Sequence, residues 1–144
     1  MPGDAIAVAS DHAGFDLKEL LKRDLQHAGH DVLDLGTNST ASVDYPDFGK
    51  AMADAIASGR AGRGVLVCGT GIGISIAANR NPKVRAALVH DETSARLSRE
   101  HNDANVVAFG QRVIGVETAR AALKVFLNTP FEGGRHAARV AKLS

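Results

Sequence analysis

The segment Cys68-Gly69-Thr70-Gly71-Ile72-Gly73-Ile74-Ser75 concentrates more chemistry than any other stretch of this 144-residue chain. Its three glycines follow an apolar run and precede a helical pattern, so the backbone can approach a ligand closely and turn several N–H groups toward it. The loop is not a dinucleotide fingerprint, which would need glycine at Ile74 and a place after the first strand. A Walker loop would end in G-K-[ST], and a C-x5-R phosphatase loop would need arginine at Ile74. An anion or oxyanion cradle with a thiol at its rim remains. Cys68 stands at the end of a strand and before a helix amino terminus, a setting that favours the thiolate. Such a sulfur can remove a proton from a carbon next to a carbonyl. A lone cysteine is ordinarily a small buried apolar residue; the glycine loop is what favours chemistry here.

Three further groups could serve the same chemistry. Asp11-His12 closes the first apolar run, and a carboxylate and imidazole there can orient hydroxyls or contact a phosphate. Asp11 is equally a favoured helix N-cap. His101-Asn102 ends a helical stretch, where a protonated imidazole is favoured and can act as general acid, or merely cap the helix. Arg135 and Arg139 are spaced i, i+4, and with Arg112 they could offer planar forks to a phosphate; exposed arginines on a terminal helix also simply solvate it. His27, His30 and His90 read as surface or structural, and His136 carries no assignment. No Asp, Glu and His run has metal-ligand spacing, and one cysteine cannot build a zinc site. Without a metal to assist a hydride shift, a thiol acting next to a carbonyl would work by proton transfer through an enediol.

The elements that must position these residues alternate. Ala5–Ala9, His30–Leu35, Gly64–Cys68, Val84–Val89 and Val106–Phe109 read as strands. Helical periodicity follows each: Phe15 to Leu25, about Asp47 to Ser58 after a polar loop from Thr37 to Asp44, Ile72 to Asn81, Asp91 to Glu100, and Val116 to Leu127. Strands each followed by a helix imply parallel pairing with right-handed crossovers: an α/β three-layer αβα sandwich on a five-stranded parallel sheet. A flavodoxin-like strand order, 2-1-3-4-5, is expected. Its switch point lies between the first and third strands, so the residues after Ala9 and after Val67 should face one crevice. One domain spanning residues 1–144 is expected, with 130–144 a basic tail that contributes to the phosphate site.

Composition excludes several classes. The net charge of +1 arises from 17 basic and 16 acidic residues, and five Phe and one Tyr leave little to stack on bases, so no nucleic-acid partner is expected. Apolar runs such as Val65–Cys68 are far short of the roughly 20 residues of a membrane span, so no membrane partner is expected. The amino terminus lacks the basic and apolar regions of a secretory signal. A single cysteine fits a reducing, cytoplasmic setting.

Across its whole length the chain resembles the sugar-phosphate isomerase family that holds the type B ribose-5-phosphate isomerases with the allose-6-phosphate and galactose-6-phosphate isomerases. The resemblance rests on Ser10–Phe15 (S-D-H-A-G-F), Asp44–Asp47 (D-Y-P-D), Cys68–Asn79 (C-G-T-G-I-G-I-S-I-A-A-N), Ser98–Asn105 (S-R-E-H-N-D-A-N), Ala108–Arg112 (A-F-G-Q-R) and Phe131–His136 (F-E-G-G-R-H). It implies that Cys68 moves a proton between C1 and C2 of ribose 5-phosphate and ribulose 5-phosphate, and that His101 opens the furanose ring. It implies that Asp11 and Thr70 handle substrate hydroxyls and that the amides of Gly69, Gly71, Ile72 and Gly73 stabilise the enediolate. His12, Arg112, Arg135 and Arg139 would grip the phosphate, with Tyr45 and Asn102 lining the sugar pocket. One branch of the family places a glutamate where Ile74 stands, so this chain falls with the cysteine users. No cofactor is implied. A homodimer, or a tetramer, with sites shared between subunits is implied. Alternatives are a hexose 6-phosphate as substrate and a non-catalytic phosphosugar-binding domain. A phosphoacceptor receiver would need aspartate at Cys68 and lysine at the Gly110-Gln111 position, and a flavin module would need a hydroxyl-rich loop where Asp11–Gly14 stands.

Overall fold

In the computed structural model, which describes residues 4–144, strands and helices alternate along the chain. The order is β1 (Ile6–Ser10), a 3-10 turn (His12–Gly14), α1 (Phe15–His27), β2 (Val32–Asp34), α2 (Tyr45–Ala57), β3 (Arg63–Cys68), α3 (Ile72–Ala78), β4 (Ala86–Leu88), α4 (Glu92–Asn102), β5 (Val106–Gly110), α5 (Val116–Asn128) and α6 (Arg135–Ala141). All neighbouring strands pair in parallel. The three-layer α/β architecture is the expected one.

The strand order is β2-β1-β3-β5-β4, so the expected 2-1-3-4-5 holds from β2 to β3 and the last two strands exchange places. Burial accounts for the exchange. Val106-Val107-Ala108-Phe109 is wholly buried and suits a strand covered on both faces. Ala86–Leu88 is three residues long and only half-buried, a short edge of the kind that resists stray pairing. The opposite edge, β2, is trimmed in the same way, from the expected His30–Leu35 to Val32–Asp34.

Alternate residues of each strand face different layers. Ile6, Val8, Val65, Val67, Val107 and Phe109 pack with Leu21 of α1, Ala95 of α4 and Phe126 of α5. Ala7, Ala9, Leu66, Cys68 and Ala108 pack on the other face with Met52 of α2 and with Ile74 and Ala78 of α3. This alternation decides the site: Cys68 belongs to the face covered by α2 and α3. Helix α2 begins at Tyr45, before the expected Asp47, with Pro46 in its first turn, where the missing N–H of proline has no intrahelical partner to lose. Helix α3 ends at Ala78, short of Asn81. No described helix is long and apolar enough to cross a membrane.

Candidate active site

At the carboxyl ends of the strands, β1 and β3 run side by side and their following loops meet, as a switch point requires. The N–H of Asp11 donates to the carbonyl of Val67 at 3.3 Å. Asp11 is 6 % exposed, and its Oδ1 accepts from the Gly14 N–H at 3.1 Å. The capping role is therefore realised with one carboxylate oxygen.

Cys68 is buried, and its Sγ accepts from the Gly71 N–H at 3.1 Å. Gly71 holds φ at 79°, and a Cβ there would lie 2.6 Å from Leu88 Cδ1 and 2.9 Å from the carbonyl carbon of Phe109, so the turn around the sulfur admits only glycine. Thr70 is exposed, and its Oγ1 accepts from the Ile72 N–H at 3.2 Å. Two of the four expected oxyanion amides, Gly71 and Ile72, thus bond to side chains of the loop itself.

The loop after β5 is stitched onto this turn. Gln111 and Arg112 donate their N–H groups to the carbonyls of Cys68 and Gly69 at 2.9 and 3.0 Å. The Arg112 guanidinium comes close enough that a Cβ on Gly69 would sit 3.3 Å from Nη1. From the other side, the Tyr45 ring covers Gly73, where a Cβ would stand 2.5 Å from Cε1. His12 Nδ1 accepts from the Val43 N–H at 3.1 Å, which leaves its proton on Nε2, free to donate. Asp11, His12, Tyr45, the Cys68–Gly73 turn and Arg112 therefore share one crevice.

His101, Asn102, Arg135 and Arg139 do not lie there. Helix α4 runs antiparallel to the strands, so its last turn ends at their amino ends, where Arg99 donates to the Asp103 side chain and Ala104 carbonyl just before β5. The five residues of β5 separate the two groups by about 17 Å at ~3.3 Å per residue. The chain after α5 lies against α4: Arg99 Nε donates to the Thr129 carbonyl at 3.0 Å, and the Glu132 N–H to the Glu100 carbonyl at 3.1 Å. Arg135 and Arg139 are exposed on α6, whose one buried residue is His136.

The spacing of the sequence passed over His136. Its ring stacks on that of His101 with centroids 4.4 Å apart and planes 17° apart, and its Nε2 lies 3.5 Å from Glu132 Oε1. The signal was the i, i+4 pair His136 and Val140, which turns toward α4 while the arginines point away.

The fold also brings ligand atoms of Glu100, His101 and Glu132 within 4.8 Å of one another, the one grouping among the described residues that could converge on a cation. Glu100 Oε1 there already accepts from Arg96 Nη1 at 2.7 Å. A groove of about 490 Å³ between α1 and α5 lies apart from both clusters, and its Arg120 is paired with Asp24 at 2.8 Å.

A parallel α/β sandwich with a thiol, an imidazole and a carboxylate around a glycine turn at the switch point defines a class of small-molecule enzymes. Residues 6–143 match the family described as Ribose/Galactose Isomerase, and the chain belongs to that family. It is 47 % identical over 135 residues to ribose-5-phosphate isomerase B of Escherichia coli, covering 94 % of this chain and 91 % of the relative. It is 42 % identical over 140 residues to D-erythrulose-4-phosphate isomerase of Pectobacterium atrosepticum, covering 96 % and 92 %. The solved structure of Clostridium thermocellum ribose-5-phosphate isomerase B superposes with a TM-score of 0.95 at 49 % identity, covering 96 % of this chain and 94 % of that one.

Proposed function

We propose that this chain interconverts ribose 5-phosphate and ribulose 5-phosphate in the cytoplasm, without a cofactor, as a homodimer or as a tetramer of two such dimers. The Cys68 thiolate takes the proton from C2 of the open-chain aldose. The electron pair moves through the C1–C2 bond onto the aldehyde oxygen; the C2 hydroxyl proton then passes to that oxygen, and the sulfur returns its proton to C1, leaving a carbonyl at C2 and the thiolate restored. Thr70 and Asp11 orient the hydroxyls, and backbone amides of the glycine turn face the developing oxyanion. The observation that carries this reading is the buried Sγ at the glycine turn, in the same crevice as Asp11, His12, Tyr45 and Arg112.

His101 from a second copy of the chain opens the furanose ring, with Asn102 beside it in the sugar pocket. Arg135 and Arg139 of that copy join His12 and Arg112 around the phosphate, so the 130–144 tail serves the neighbouring site rather than its own. The separation of the two clusters along β5 supports this division, because no single chain can close the set. The test is Cys68→Ser: turnover should fall about 10²–10⁴-fold, as expected for loss of the proton-transferring group, while the fold stays intact. Wild-type turnover in that variant would refute the assignment.

A second substrate class has a specific basis. The D-erythrulose-4-phosphate isomerase is nearly as similar as the ribose-5-phosphate isomerase, at 42 % against 47 %. Four- and six-carbon aldose phosphates, the latter including allose and galactose 6-phosphates, therefore belong in the same assay. One carbon more or less is worth about 1–3 kcal/mol in a pocket, so the ratio of kcat/KM values decides the preferred length.

A further inference from the structure

Lys18 is completely buried, an unusual place for a lysine. Its Nζ lies 3.0 Å from Asp34 Oδ1 and 3.2 Å from Glu19 Oε2, and 5.3 Å from the centre of the Phe15 ring. Lys22 pairs with the remaining oxygens of the same carboxylates, at 2.9 Å to Asp34 Oδ2 and 3.0 Å to Glu19 Oε1. The ion cluster is thus balanced, two lysines against two acids, and each lysine touches both carboxylates. What Lys18 adds is a third contact: it donates to the backbone carbonyl of Thr37 at 2.6 Å.

Thr37 begins the 37–44 loop, whose residues from Asn38 to Ser42 are exposed. The loop is tied at its start, where Thr37 N–H donates to the Ser10 carbonyl at 2.9 Å and Lys18 holds the Thr37 carbonyl. It is tied again at its end, where Val43 N–H meets His12 Nδ1 before the chain enters α2 at Tyr45. We infer that Lys18 is a positioning residue for the phosphate grip: it sets the path of the 37–44 loop so that Val43 fixes the tautomer and direction of His12. The phosphate role of His12 rests on the function proposed above; the control of its tautomer does not.

The ion cluster supplies its own control. Lys18→Met and Lys22→Met delete the same charge from the same cluster, and each leaves one lysine touching both acids. Only Lys18→Met loses the Thr37 carbonyl. Lys18→Met should raise KM for ribose 5-phosphate about tenfold with a smaller fall in kcat, because binding rather than the chemical step is disturbed. Lys22→Met should keep the wild-type KM. Val43→Pro, which removes the N–H at the far end of the loop, should reproduce the Lys18→Met effect.

A second readout needs no turnover. Long-range proton–nitrogen NMR should show His12 as a single Nε2–H tautomer in the wild type and Lys22→Met, and a tautomer mixture in Lys18→Met. Inorganic phosphate, titrated on the same samples, should bind more weakly to Lys18→Met alone. If the chain proves inactive on ribose 5-phosphate, the NMR comparison still tests the positioning role. Should Lys18→Met fail to fold, Lys18→Gln gives the same comparison with a shorter polar stem. An unchanged tautomer and KM in these Lys18 variants, or equal changes in Lys22→Met, would overturn the inference.

Discussion

The two ends of the sheet are built in opposite ways. At the carboxyl ends, the Cys68–Gly73 turn is held by backbone bonds from Gln111 and Arg112, covered by Tyr45, and shaped around a glycine at φ 79°. Cys68 is 4 % exposed. At the amino ends, His101 occupies the last turn of α4, and the arginines project from a seven-residue helix that enters through Gly133 and Gly134, both at positive φ. One side chain, His136, is buried in that helix. On the function proposed above, the reacting sulfur is preorganised within one chain, while part of the phosphate grip falls to long side chains of a lightly anchored segment that needs a second chain to reach it. The chemistry demands this difference: proton transfer tolerates little misplacement, whereas long cationic side chains can adapt to a dianion.

Breaking the comparison at its root has the largest effect. Cys68→Ala and His101→Ala are each expected to be nearly inactive, since each removes one half of every site. Mixed after reversible dissociation, the two variants should regain about a quarter of wild-type activity, because half the random pairs are mixed and each mixed pair holds one intact site. Recovery on mixing, measured with the pentose phosphate assay, separates a shared site from a self-contained one; no recovery alongside proven subunit exchange would defeat the shared site.

The next effect concerns the rigid end alone. Gly71→Ala must place a side chain at positive φ and push on Leu88 and the Phe109 backbone. We expect a loss of about 2–4 kcal/mol in urea unfolding from backbone strain and overpacking together. A glycine substitution at the lightly anchored end, Gly133→Ala, meets no atom within 4 Å and should carry only the smaller backbone penalty.

His136→Ala sharpens the role of the other end. Removing the ring stacked on His101 frees the imidazole, so kcat/KM on ribose 5-phosphate should fall about tenfold, in line with a misdirected acid-base group. A four-carbon aldose 4-phosphate has its O4 esterified and cannot close a five-membered ring, so it has no ring to open. The variant should lose much less activity on that substrate. Equal losses on both would show that His136 only holds the tail in place.

The legibility of this molecule followed the same division. The strand–glycine turn–helix at Cys68 was plain, because three glycines between an apolar run and a helical pattern have few other uses. The outer strand order was misread because periodicity reveals that a strand exists but not which strand lies beside it; the unbroken apolar run of β5 against the alanine-rich β4 was the usable clue. Pro46 hid the start of α2, since a proline read from sequence suggests a loop as readily as a first helical turn. The separation of His101 from Cys68 follows from topology alone, because every crossover helix in a parallel sheet returns to the amino ends. The i, i+4 pair His136 and Val140 marks the inward face of the tail helix, but which ring His136 meets depends on how the tail docks, and local spacing does not carry that.

The smallest expected effect is in acid, at the ion cluster below the switch point. Burial opposes ionisation of Asp34, yet hydrogen bonds from Lys22, the Gly36 N–H and Lys18 outweigh it and hold the carboxyl below its ordinary value of 3.8. In the unfolded chain these bonds are gone, so as pH falls the unfolded state takes up the proton first. The stabilisation is therefore complete above about pH 4 and is lost as pH drops through the lower, folded value. Lys22 behaves inversely: its hydrogen bond to Asp34 outweighs desolvation and raises it above 10.5, so its contribution is complete below that value and fades as pH climbs past the raised one. Asp34→Asn should flatten the decline of Tm between pH 4 and pH 2 and also the decline above pH 10.5, with little change in slope between. Because Asp34 and Lys22 are both part-exposed, solvent screening keeps the effect modest. A wild-type slope at both extremes in Asp34→Asn would show that the cluster does not couple folding to protonation.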